Sequence, residues 1–428
     1  MLSLRPRIQP NRQRPPQLTR PVSPTPDDQR RPPEPPREDE PPRVALIPAS
    51  FKSEWVPNPR WTIQQLLDTI LPPPADPRTI TISPTFSPRG PTELDSAMCT
   101  VPVPPLTYVV ILRDRAIRAI REGNRSVLSP YGDGRRYPLW TPTYWSEIAH
   151  VVEICAQYHE ARNWLNAARV SRRADGELIP RIFDDWKKQP WSDLHRDLKA
   201  DDPTAHLPQP DRLLPIISDR WLEDDQMDLL IRLTSVSVRE QKKSGIVVPL
   251  RFWRELEHLD MNNGFFDSGH YPCLTDTWSQ VSRGNLDLGF IVNNADGHMP
   301  GDKGTHWSAA VLSLSKGEFR YGDSLGRPPP LAFQGRLERW LRMYDPSGRR
   351  LQKGKDLKHA TQTDGHSCGL ISINSLEHYF LRYPLWTPET DADIRLSKYI
   401  NLLEYNRGPP VGISPLCSYS VLSSLATT

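Results

Sequence analysis

The sequence predicts an α+β domain behind a proline-rich N-terminal tail, and three observations carry that expectation. Apolar residues recur at helical spacing in "YWSEIAHVVEICAQYHEARNWLNAARV" (144–170) and in "DRWLEDDQMDLLIRL" (219–233). "FIVN" (290–293), "HWSAAVLSL" (306–314) and "EFRY" (318–321) read as strands, the last two joined through a Lys-Gly turn. Finally, a chain with 47 prolines in 428 residues does not pack throughout its length.

Taken in order, residues 1–44 are Pro, Arg, Gln and Glu with almost nothing to bury, so the segment is expected to be a disordered tail. Its PxxP-like pieces suit SH3-type modules, although a solvated tail is the simpler reading. Residues 45–170 form a mainly helical region of unassigned role. There "WTIQQLLDTIL" (61–71) suggests a short helix, "RTITIS" (78–83) a short strand, and 106–120 and 144–170 two longer helices. The segment "RYPLWTP" occurs twice, at 136–142 and 382–388. Each copy ends in Thr-Pro ahead of a helical pattern, which suits Thr141 and Thr387 as N-caps with Pro142 and Pro388 at the first helical position. Residues 171–208 read as a linker, 209–408 as an independent domain, and 409–428 as a flexible tail.

Composition removes several function classes. With 54 basic and 51 acidic residues, the net charge of +3 is too balanced for a nucleic-acid footprint to be read from charge alone, so charge names no partner. No run of about 18 apolar residues suggests a membrane span. The N-terminus lacks the apolar core of a secretory signal, and its prolines break the helix that a mitochondrial presequence needs. Five scattered cysteines (Cys99, Cys155, Cys273, Cys368, Cys417) without CxxC or His pairs at zinc spacing predict no disulfide scaffold, no metal site and no cofactor. A reducing compartment fits, either nucleus or cytoplasm.

Candidate chemistry lies in the C-terminal half. If 306–314 and 318–321 pair as a hairpin, His306 and Asp323 meet at the end away from the turn. A carboxylate accepting from a ring N–H fixes the imidazole tautomer and supports its charged form. Cys368 stands ahead of "GLISINSLEHYFL" (369–381), at the first turn of an expected helix, where free N–H groups favour a thiolate. Gln362, six residues earlier, offers a neutral donor for an oxyanion. Gly365 and Gly369 leave room for a substrate backbone to approach. Each residue alone has a structural explanation, as strand-end histidine, turn aspartate or buried thiol; the joint pattern favours catalysis.

"THWSAAVL", "YGDSLG" and "QTDGHSCG", in that order, resemble the signatures of the cysteine proteases that process SUMO and other ubiquitin-like proteins, whose fold is shared with adenovirus protease. The resemblance covers about 211–406. It implies a papain-like central mixed sheet flanked by helices, and a catalytic set of Cys368, His306, Asp323 and Gln362. It further implies that the partner is a SUMO-like protein or its conjugates, cleaved after a Gly-Gly tail. Trp307 corresponds to the aromatic that closes a channel over that tail, and "DRWLEDDQ", with Trp221 and Leu222, is similar to the family's opening helix. Ser367 departs from the family's usual Asp before the Cys, and the loop "NNADGHMPGDKG" (293–304) is longer than expected. Two rivals stay open: a catalytically silent adaptor that binds ubiquitin-like proteins, and a mobile-element protease with another substrate.

Overall fold

The computed structural model describes residues 46–80, 85–93, 95–171, 176–192, 210–261, 270–284, 286–294, 306–345 and 350–407. The expected tails at 1–44 and 409–428, the loop 295–305 and Cys417 lie outside the described residues.

Two short helices come first, α1 (Ala49–Trp55) and α2 (Ile63–Leu67). The second starts on a capping box in which Thr62 and Gln65 exchange side-chain and backbone bonds. Strand β1 (Phe86–Ser87), helix α3 (Leu106–Arg121), β2 (Ser126–Leu128) and β3 (Arg136–Tyr137) follow, the three strands pairing antiparallel. Of the strand expected at 78–83, residues 78–79 belong instead to a 3₁₀ turn begun by Asp76 and Pro77, and 81–83 lie outside the described residues.

Helix α4 (Thr141–Val170) is the long element expected at 144–170, extended by three residues at its start. Its cap residue is Trp140 and no side chain caps it: Thr141 lies inside the helix with its hydroxyl 3.9 Å from Met98 Sδ, and Pro142 takes the second position. The second copy of the heptapeptide folds otherwise. Arg382 adopts a left-handed φ of 66° that ends a helix, and Thr387 Oγ1 accepts from the Thr390 amide in a turn, with the next helix beginning only at Asp391. Neither threonine is therefore a helix N-cap. The tryptophans show why context decides: Trp140 packs on Phe51 at 4.6 Å, whereas Trp386 donates from Nε1 to Asp391 and from its amide to Asn374 Oδ1.

The stretch read as a linker contains α5 (Leu178–Trp186), whose Ile179, Ile182 and Trp186 are buried. Its polar flanks conceal an amphipathic stripe only three residues wide. A 3₁₀ segment, Pro210–Ile217, leads to α6 (Asp224–Glu240). This helix starts five residues later than expected, because Glu223 and Gln226 form a capping box that fixes its first turn. Trp221 and Leu222 therefore precede the helix.

The C-terminal half then builds β4 (Gly245–Val247), α7 (Leu250–Met261), α8 (Pro272–Gly284), β5 (Asp287–Asn294), β6 (His306–Ser313), β7 (Glu318–Gly322), α9 (Phe333–Tyr344), β8 (Gln352–Lys353), α10 (Cys368–Leu381) and α11 (Asp391–Arg407). The strands form a five-stranded mixed sheet in that order, antiparallel through β5–β6–β7 and parallel at both edges. Every residue of β6 is buried, as a central strand with helices on both faces requires. Alternation divides it: Trp307, Ala309 and Val311 join the core beneath α6 and α10, and Ala310 and Leu312 join the core beneath α7, α8 and α9. The fold is thus α+β with a central mixed sheet, as expected.

Two glycines set how α10 lies on this sheet. A Cβ at Gly245 would fall 2.1 Å, and one at Gly289 2.6 Å, from carbons of the Phe380 ring, so the ring occupies the space that their missing side chains leave.

The boundary placed near residue 209 is not a break in the core. One apolar cluster runs from Phe51 through Tyr158, Trp186 and Leu214 to Leu403. It is reinforced where Trp186 Nε1 donates to the Tyr399 hydroxyl at 3.2 Å.

Candidate active site

His306 opens β6 and Asp323 follows β7, and the pairing of Ala309 with Gly322 brings the two strand ends together. Both side chains are buried, and His306 Nε2 lies 3.0 Å from each carboxylate oxygen of Asp323. An ionised carboxylate only accepts, so Nε2 carries the proton and Nδ1 is left to share a hydrogen bond with Cys368. Burial works against charge on the imidazole, but the hydrogen bonds to Asp323 and Cys368, and their charges, outweigh it and raise His306 to about 9. Burial likewise opposes ionisation of Asp323. The bonds it accepts from His306 and from the Leu325 and Arg327 amides prevail, and hold its carboxyl below the ordinary range.

Further polar groups stand behind the carboxylate. Asn294 Nδ2 and the Tyr321 hydroxyl each approach Asp323 Oδ2 at 3.4 Å, and Ser308 Oγ donates to the Tyr321 hydroxyl at 2.7 Å. Sequence reasoning missed these three, although Ser308 and Tyr321 lie two residues from His306 and Asp323 and so share their strand faces.

Cys368 is the first residue of α10, as expected, and is only 2 % exposed. The turn that leads into it is held by Asp364: Oδ1 accepts from the amides of His366 (2.9 Å) and Ser367 (2.7 Å), and Oδ2 from Ser367 Oγ (2.7 Å). The Asp-Gly pair at 364–365 carried the signal for this turn. Ser367 Oγ also accepts from Nη2 of Arg395 at 3.0 Å, a fully buried residue of α11 that Asp391 pairs at 2.8 Å. At the position before the cysteine, a hydroxyl thus bridges one carboxylate and one guanidinium.

Gln362 is held at both ends. Its amide donates to the Ser324 carbonyl and its Oε1 accepts from Ser324 Oγ, each at 2.9 Å, while Nε2 donates to the Asp364 carbonyl at 2.7 Å. Ser324, next to Asp323, therefore ties the two sides of the site together. Nε2 also approaches Asp364 Oδ1 at 3.4 Å, so the carboxamide braces the loop through both groups of Asp364.

Of the three residues assigned to substrate contact, two are placed differently from expectation. Trp307 is wholly buried, with its Nε1 donating to the Leu222 carbonyl at 2.8 Å, and Trp221 stacks on it with ring centroids 5.4 Å apart. Trp221 is the half-buried outer ring, and its Nε1 donates to Cys368 Sγ at 3.1 Å. Gly369 faces inward: a Cβ there would lie 2.8 Å from Met227 Sδ and 3.3 Å from Leu222 and Trp307. It serves close packing of α10 rather than substrate approach, whereas a Cβ at Gly365 would meet open space.

Among the described residues no group of three or more His, Cys, Asp or Glu side chains could hold a metal ion, and no helix is long and apolar enough to cross a membrane. The cysteines at 99, 155, 273 and 368 form no disulfide.

No family model matches the sequence. The chain is 29% identical over 79 residues to a curated thiol protease of Acanthamoeba polyphaga mimivirus, a match that spans 17% of this chain and 24% of that protein. Ulp1-like SUMO proteases are among the solved structures to which it is similar. One is the C-terminal Ulp1 protease domain in complex with Smt3, the yeast orthologue of SUMO (19% identity, 45% of this chain and 80% of that one, TM-score 0.34). Another is the Ulp1-like SUMO protease catalytic domain of Chaetomium thermophilum (15% identity, 54% and 89%, TM-score 0.40).

Proposed function

We propose that the chain is a cysteine protease that cleaves after the Gly-Gly tail of a ubiquitin-like protein. The observation that carries this reading is the continuous line from Asp323 through His306 to Cys368, with the imidazole held charged at neutral pH between a carboxylate and a helix-start sulfur. In this mechanism His306 holds the thiol proton and Cys368 Sγ attacks the scissile carbonyl, giving a tetrahedral oxyanion. Gln362 Nε2, turning its weaker 3.4 Å contact from Asp364 Oδ1 to the oxyanion, and the amide of Cys368 receive that charge. His306 then protonates the leaving amine, and water, deprotonated by the same imidazole, releases the acyl group. Asp323 keeps the ring in the required tautomer throughout.

The tail specificity rests on access. A thiol only 2 % exposed beneath the Trp221 indole leaves no space for side chains on the residues next to the scissile bond, and glycines have none. The order of the His-Trp, Gly-Asp-Ser and Gln-to-Cys-Gly segments supports a SUMO-like tail in particular.

The test is a panel of ubiquitin-like proteins bearing a C-terminal electrophile, incubated with the full chain. A SUMO-ended probe is expected to attach to Cys368 and to spare a Cys368→Ser chain. Attachment at another cysteine would overturn the mechanism, and reaction with none of the probes would overturn the substrate class.

A further inference from the structure

The segment that delivers Trp221 to the sulfur has no regular secondary structure. Residues 218–223 form a bend followed by irregular chain, so side-chain anchors must decide where the indole sits. Two of those anchors come from α4, in the region to which the sequence assigns no role. Trp164 Nε1 donates to Asp219 Oδ1 at 2.8 Å, and Arg220 donates through Nε to Glu160 Oε1 at 2.8 Å, with its Nη2 on the second oxygen. Glu160 and Trp164 are four residues apart and share one face of the helix. The opposite face is fixed by buried Tyr158, Ala161 and Leu165, so α4 is a rigid mount. Asp219 also stands 3.7 Å from His366 Nε2, on the loop that carries Cys368.

We propose that α4 holds Trp221 as a cover over the Cys368 sulfur, with Glu160 and Trp164 as the positioning residues. The consequence deepens the protease reading and rests on it for its meaning. To bring a scissile carbonyl to Cys368, a substrate tail must shift the Trp221 indole off the sulfur, and the grip of α4 on residues 219–220 sets how readily that happens. The N-terminal helical region thereby becomes part of the site without touching substrate.

The experiment uses the full chain and iodoacetamide, with alkylation of the Cys368-containing peptide followed by mass spectrometry. Trp221→Ala should give the fastest alkylation. Glu160→Arg, which sets two cations face to face, should speed it by about fivefold, the scale that loss of an exposed, bidentate ion pair supports. The reversed pair, Glu160→Arg with Arg220→Glu, should return the rate to near that of the parent chain. Glu160→Arg and the reversed pair should both melt close to the parent temperature, since the pair is nearly half exposed on both sides. A parent rate in Glu160→Arg, a reversed pair as fast as the single variant, or no acceleration in Trp221→Ala would each overturn the proposal. Alkylation reads the access and ionisation of the sulfur and not turnover, so a chain inert to every ubiquitin-like probe would overturn the substrate class and leave the cover standing.

Discussion

The two sides of the site are held by different kinds of bond. His306 and Asp323 sit at strand ends, where the main-chain ladder between β6 and β7 sets their separation. Cys368 and Gln362 sit on and beside an irregular loop, where side chains set the geometry instead. Asp364 holds the turn ahead of α10, Ser367 joins Asp364 to Arg395, and Ser324 holds the Gln362 carboxamide. A ladder tolerates change in any one side chain. A turn held by single side-chain bonds loses its geometry when one member goes, because the buried partner is left unsatisfied.

The strongest break of the loop side is at Cys368. Cys368→Ser should abolish probe attachment altogether, while substitutions at Cys99, Cys155, Cys273 and Cys417 leave it near normal, as mass spectrometry of labelled peptides would record. On the strand side, Asp323→Asn preserves the ladder and removes the charge, so turnover should fall by about 10³- to 10⁴-fold in a chain that still folds. The same variant sharpens the pH profile. With His306 at about 9, the charged imidazole persists through neutral pH and activity should fall on the alkaline side near that value. Asp323→Asn should move this limb toward the ordinary histidine range, about 6.5. The sign for stability is the same: a folded value raised above the unfolded one contributes fully below about pH 6.5 and is lost as pH rises through about 9.

Gln362→Ala should lower kcat on the order of a hundredfold with KM almost unchanged, if Nε2 meets the oxyanion. Because Ser324 and Asp364 also hold this carboxamide, a drop in melting temperature that tracks the loss of activity would instead assign Gln362 to bracing alone. The smallest effect belongs to Ser367→Ala, which unlinks Arg395 from the cap. It should cost about 1–2 kcal/mol in denaturant unfolding and slow probe attachment by about tenfold.

The strand side was also the legible one. Period-two alternation and a Lys-Gly turn sufficed to bring His306 and Asp323 together, because an antiparallel register converts sequence distance into contact. On the loop side the sequence placed Cys368 at a helix start, but Arg395 lies 27 residues further on, in a helix whose relation to the loop no local pattern encodes. Trp307 was misjudged for a similar reason: its exposure depends on Trp221 stacking over it, across a long separation in the chain. The late start of α6 and the hidden α5 were masked by local chemistry, a Glu-initiated capping box in one and a narrow apolar stripe between polar flanks in the other.

Phe380, seated between Gly245 and Gly289, acts on α10 as a key does on a shaft. A helix lying on a sheet can slide along its own axis at little cost wherever its contacts are smooth, and this one cannot, because the ring has a single slot. Cys368 is twelve residues away at the other end of the same rod, about 18 Å at 1.5 Å per residue. The reach of the sulfur toward His306 is thus gauged from a point far from any reacting atom. A methyl group added at either glycine would push the whole rod and detune the sulfur-to-ring distance while every polar group of the site kept its identity.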